Sequence, residues 1–142
     1  MKRAIIVAML FAACASQKQA SGPPVEVKLS QINAGSNTFY IGGPVNVQYQ
    51  VAVSNPTNQE VTLRRLELRT EGLGAYELPN QGYPMKVKVA PKSTATFTIN
   101  AWGQARGGYM AAGEPVSLFA NAYFDSPSGT FIKLVHENAW QP

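Results

Sequence analysis

The chain has 142 residues, 14% of them charged, with a formal net charge of +4 and a single cysteine. That length suits one domain with a real core and no disulfide staples. Lys2 and Arg3 supply half of the net charge, so the remainder argues against nucleic acid or another polyanion as the obvious partner. These two residues precede an apolar run from Ala4 to Ala13. The run is too short for the ~20 residues that cross a bilayer as a helix. A charged start, a short apolar core and a small-residue exit form the pattern of an export signal.

The exit reads Leu10-Phe11-Ala12-Ala13-Cys14. It resembles the lipobox of bacterial lipoproteins, with Phe11 where leucine is usual. The resemblance implies cleavage between Ala13 and Cys14 and a diacylglycerol thioether on Cys14. A lone cysteine in an exported chain calls for an explanation, which is intermolecular pairing, a free thiol or modification. Each buried methylene adds ~0.8 kcal/mol, and two or three acyl chains hold a protein on a membrane where one alone is marginal. The expected organisation is a signal peptide over 1–13, a lipidated cysteine and flexible tether over 14–24, and a folded domain over 25–142. The tether is small, polar and ends in Gly22-Pro23-Pro24. Ala15 is not the aspartate that retains enteric-type lipoproteins at the inner membrane. By that resemblance the expected place is the cell envelope, at the outer membrane if the cell has one.

Beyond the tether the pattern has a period of two. Val25, Val27 and Leu29 alternate with polar residues, and Phe39-Tyr40-Ile41 is a short apolar piece ending at Gly42-Gly43. The clearest strand places Val45, Val47, Tyr49, Val51 and Val53 on one face and Asn46, Gln48 and Gln50 on the other. Ser54-Asn55-Pro56-Thr57-Asn58 reads as a turn. Val61 and Leu63 then continue on odd positions, whereas Leu66 and Leu68 are even. A β-bulge at Arg64-Arg65 explains that switch of parity, and an arginine pair that binds an anion is the alternative. Residues 70 to 83 read as a loop. Met85, Val87 and Val89 alternate with Lys86 and Lys88, which suits an edge strand. After a turn at 90–93, Ala95, Phe97, Ile99 and Ala101 alternate with threonines. A glycine-rich loop is expected over 102 to 114. Two last strands, 115–124 and 129–137, are joined by a tight turn at 125–129.

This pattern predicts an all-β domain, an Ig-like two-sheet sandwich of seven or eight mostly antiparallel strands; a small β-barrel is the alternative. Two stretches, Val45 to Leu68 and Val87 to Phe97, resemble the WHy-type domain of late-embryogenesis-abundant proteins. Strand, Asn-Pro turn, leucine-bearing strand and Pro-initiated turn recur there. The resemblance covers about half of the chain beyond the signal. It implies an Ig-like or fibronectin-III-like fold and a protective or binding role, and it supplies no catalytic residues.

No Gly-x-Ser-x-Gly elbow and no phosphate-cradling loop occurs. Acidic residues number eight, so a glycosidase-type carboxylate pair is a remote prospect. His136 is the only histidine, too few for a typical zinc site. Met85, Met110 and His136 have the chemistry for copper(I), but no spacing that joins them. No metal or cofactor is expected. The candidate binding residues are aromatic. Trp102, Arg106 and Tyr109 lie in the glycine-rich loop, which reads either as a recognition loop or as a connection whose Trp102 packs on the core rim. Phe119, Tyr123 and Phe131 give the last hairpin a second apolar face. Trp140 folding over that face, or a protein partner, would cover it. The expectation is therefore a lipid-anchored, non-catalytic domain for envelope binding or assembly. A stress-protective domain and a small envelope enzyme or metal carrier are the alternatives.

Overall fold

A computed structural model describes residues 22–33 and 38–139. Cys14, Ala13 and Trp140, and with them the signal and the proposed aromatic cover, lie outside the described residues. The strands are β1 (Glu26–Asn33), β2 (Gly43–Asn55), β3 (Val61–Glu71), β4 (Tyr76–Glu77), β5 (Gln81–Val89), β6 (Ser93–Ala105), β7 (Val116–Ser126) and β8 (Gly129–Ala139). They form two four-stranded antiparallel sheets, β1-β2-β6-β4 and β5-β3-β7-β8, packed face to face. Apart from the short β4, this is an Ig-like sandwich whose middle strand β5 joins the second sheet.

Alternation builds the core. In β2, Val45, Val47, Tyr49, Val51 and Val53 are all at most 1% exposed. Across from them lie Leu63, Leu66 and Leu68 of β3 and Leu118, Ala120, Ala122 and Phe124 of β7, equally buried. Full burial of such a side chain stabilises by ~1.5–3 kcal/mol. Both ladders of β3 shift register between Leu63 and Arg65. The bulge therefore sits where the parity of the sequence changes, and it lets Leu63 and Leu66 both face inward. Its arginines are paired with acids: Arg64 lies 2.5 Å from Asp125, and Arg65 lies 2.8 Å from Glu67.

One buried polar group crosses the core. Tyr76 donates to Gln31 Oε1 at 2.6 Å, so Tyr49 donates its own hydroxyl proton to Tyr76. Burial pushes the Tyr76 phenol up to about 12, and burial together with the charge and hydrogen bond of Tyr76 pushes Tyr49 higher still. Gln31 Nε2 is buried with no acceptor among the described residues.

The structure corrects two expectations and gives one apolar segment its conformation. Residues 70–83 are not one loop. They hold β4 and the start of β5, because Gln81 and Tyr83 reach across to bond the main chain of β6. The segment Phe39-Tyr40-Ile41 is the end of a short helix, α1 (Thr38–Ile41), which seals the core with Phe39. The expected glycine-rich loop starts four residues later than predicted: β6 runs through Trp102 and Gly103 to Ala105, and a second short helix, α2 (Tyr109–Ala112), follows.

Candidate functional site

The sandwich has two unlike ends. One, the hairpin end, holds the β2–β3, β5–β6 and β7–β8 turns and the entry of the chain at residues 22–25. Gly22 lies there against Phe131, so closely that an added Cβ would stand 2.8 Å from the Phe131 Cβ. The other, the helix end, holds α1, α2 and the β3–β4 loop. Strands of 13 residues such as β2 separate the ends by roughly 40 Å, at ~3.3 Å per residue.

The helix end carries an exposed apolar cluster. Gly42 and Gly107 have positive φ (75° and 73°) and face each other without side chains, so the segments bearing α1 and α2 can meet. Gly108 N–H donates to Tyr40 O at 2.9 Å. The rings of Tyr40 and Tyr109 then stand 5.6 Å apart. Ile41, Tyr109 and Met110 are more than 80% exposed. Arg106 is not a free cation beside them. Its guanidinium bonds Gly74 O at 3.1 Å and Glu114 at 2.7 Å, tying the β3–β4 connection to the β6–β7 loop.

Trp102 is the next candidate, and it does not pack on the core rim. It points outward from β6 and is 62% exposed. Its main chain is clamped by the Gln81 amide, which donates to Trp102 O at 2.5 Å and accepts from Trp102 N–H at 3.1 Å. The following residue must be small: a Cβ on Gly103 would lie 2.2 Å from Glu77 O. The carbonyl of β4 thus fits only over glycine. Beside the indole, Pro44, Glu77, Pro79 and Gln104 complete a cleft of about 440 Å³, within the ~300–1,000 Å³ usual for small-molecule sites. No glycine count or spacing foretold this cleft, because its wall comes from β4 and the β4–β5 link, distant in sequence.

Phe119, Tyr123 and Phe131 do not form one patch. Register places Phe119 opposite His136 and Tyr123 opposite Ile132 on the outer face of the second sheet. Phe131 faces the core and stacks on Phe124 at 5.0 Å. A strand alternates sides, so the odd residues of β7 and the even residues of β8 share a face. Phe119 is held between Arg69, 5.5 Å above its ring, and the His136 ring at 4.3 Å. Tyr123 donates to Glu67 at 2.9 Å. That bond, with Arg65 nearby, lowers the Glu67 carboxyl below its ordinary 4.5; the same bond raises the Tyr123 phenol against the opposing charge of Arg65. The exposed large apolar side chains on this face are Ile132 and Leu134.

The copper set does not assemble. Met85 packs inward on one edge strand, His136 faces outward on the opposite edge strand, and Met110 is at the helix end. Among the described residues, no three His, Cys, Asp or Glu side chains group to hold a metal ion. No described helix is long and apolar enough to cross a membrane.

No family model matches the chain, and no curated protein matches it in sequence. Solved structures share its fold. The structural-genomics target SoR45 is 14% identical with a TM-score of 0.56, over 83% of this chain and 85% of that one. A protein from Archaeoglobus fulgidus is 11% identical with a TM-score of 0.52, over 80% and 91%. A late embryogenesis abundant (LEA) protein solved in solution is 14% identical with a TM-score of 0.46, over 82% and 72%. At these identities the first two likenesses concern the all-β fold alone.

Proposed function

We propose that this chain is a lipid-anchored cell-envelope domain that binds rather than catalyses, and that it binds through its helix end. The observation that carries the reading is the placement of the exposed Tyr40, Ile41, Tyr109 and Met110 cluster at the end opposite to the entry of the chain. With the lipid on Cys14, the hairpin end stands toward the membrane and the cluster is held away from it. A contiguous exposed apolar cluster so placed is suited to a partner in the envelope rather than to the bilayer. The long loops at that end are the part of a sandwich where recognition concentrates.

Two measurements test this. Cys14→Ser should move the protein from the membrane fraction to the soluble one; a variant that still fractionates with membranes defeats the anchor. A photo-crosslinking residue at position 109 should give a discrete crosslinked product in cells, and the same residue at position 128, in the β7–β8 turn, should not. Equal products from both ends would defeat the assignment of the surface.

A further inference from the structure

On the outer face of the first sheet the two central strands carry no charge, and the charges of that face stand on the flanking strands, Glu26 and Lys28 on β1 and Glu77 on β4. Down β6 stand Thr94, Thr96, Thr98 and Asn100, all exposed. Gln50 and Gln48 of β2 pair in register with Thr98 and Asn100. No lysine, arginine, aspartate or glutamate interrupts either row between Pro44 and Ser54 or between Thr94 and Gln104. Towards the helix end the rows meet Trp102 and its cleft, where Glu77 of β4 pairs with Gln104.

That chemistry selects a ligand. A charged partner would lose its hydration and meet no opposite charge on the rows, which is costly. An apolar partner would bury hydroxyls and amides without acceptors or donors, at ~1–3 kcal/mol each. A neutral ligand rich in hydroxyls avoids both costs. The exposed indole adds an apolar plane with a polar tip, and the C–H face of a pyranose ring matches that plane. The hydroxyls at the ring edge can donate to the Glu77 carboxylate, a charge-assisted contact stronger than a neutral one. The main chain of Trp102 is positioned before any ligand arrives, by its two hydrogen bonds with the Gln81 amide and by the packing of β4 on Gly103. Such preorganisation lowers the ordering cost of binding.

We infer that this face binds a neutral polysaccharide, with one pyranose ring stacked on Trp102 and the following sugars laid along the threonine and glutamine rows. The inference goes beyond the proposal above. It concerns another surface, and neither depends on the other.

The test is calorimetric titration of the full chain, held in a detergent without a sugar headgroup, with cellohexaose and with N-acetylchitohexaose. Saturable binding of at least one sugar is expected. Trp102→Ala should weaken it about tenfold or more, as should Thr98→Lys, which places a charge on the neutral row. Ser128→Ala, in the β7–β8 turn, should leave it unchanged. Trp102 is exposed and the Gln81 amide bonds only its main-chain atoms, so Trp102→Ala should keep the fold, which circular dichroism checks. Absence of saturable binding to both sugars at millimolar concentration would overturn the inference. So would binding that survives Trp102→Ala, or equally tight binding of anionic polygalacturonate.

Discussion

The hairpin end and the helix end of this sandwich are built on opposite terms. At the hairpin end the connections are short, and one buried side chain governs two of them. Asn55 is 1% exposed. Its amide donates to Gln59 O at 2.7 Å, Val89 O at 3.1 Å and Ala90 O at 3.2 Å, and its Oδ1 accepts from Thr57 N–H at 3.1 Å and from the Thr57 hydroxyl at 2.7 Å. The β2–β3 and β5–β6 turns are thereby sewn into one unit. At the helix end the connections are longer, carry two single-turn helices, and expose aromatic and aliphatic side chains. Polar satisfaction is concentrated where the chain only has to turn. Apolar exposure is concentrated where a loop is free to present side chains.

If that division is real, substitutions at the two ends should separate stability from binding. The largest effect is expected at Asn55. Asn55→Ala leaves buried carbonyls and the Thr57 donors unpaired and should cost ~3 kcal/mol of unfolding free energy, read from urea midpoints. A loss under ~1 kcal/mol would mean that the turns hold without it. Next comes Gly103→Ala, in which the new methyl must push back the Glu77 carbonyl. It should cost about 2 kcal/mol by overpacking and should disturb the Trp102 cleft more than the hairpin end, as hydrogen exchange would report. A uniform loss of protection would count against a local role for β4.

Tyr76→Phe removes the acceptor of Tyr49 and the donor to Gln31 and should cost ~1–2 kcal/mol. The double variant with Tyr49→Phe should cost less than the sum of the two singles, because the partners are coupled; strict additivity would break the proposed chain of bonds. The same pair predicts a pH effect. Both phenols are raised above their ordinary 10.0, Tyr76 to about 12. The folded state therefore keeps its phenol protons where the unfolded chain releases them. Stability contributed by the pair is full below pH 10 and declines as pH rises through the folded value. Alkaline melts should be shallower for the double variant than for the parent. The smallest effect on stability is expected at the helix end: Tyr109→Ala should change it by no more than ~0.5 kcal/mol, while removing the contact proposed there. A loss of several kcal/mol would instead make the Tyr40–Tyr109 pair part of the core.

Much of the fold was legible because a half-buried strand writes its orientation in alternate residues. The parity change at Arg64-Arg65 located the bulge, and Lys86 and Lys88 marked the edge strand β5. The aromatic residues were harder to read. Phe119, Tyr123 and Phe131 look alike in sequence, but which side each takes depends on the pairing of β7 with β8, where Phe131 opposes Phe124 and Tyr123 opposes Ile132. Glycines misled in a similar way. Gly103 resembles a loop residue, yet it is a strand residue made necessary by another strand's carbonyl.

By itself the sequence determined the β class, the positions of the central strands and the inward set of each, because these depend on local alternation and on turn chemistry. Its N-terminal pattern also carries the expectation of export and of a lipid on Cys14. Only the tertiary structure decided which aromatics are exposed, which are enclosed by Arg69, His136 or Phe124, and that Trp102 stands beside Glu77. Those relations join residues far apart in the chain. Sheet order and register set them, and no local pattern encodes either.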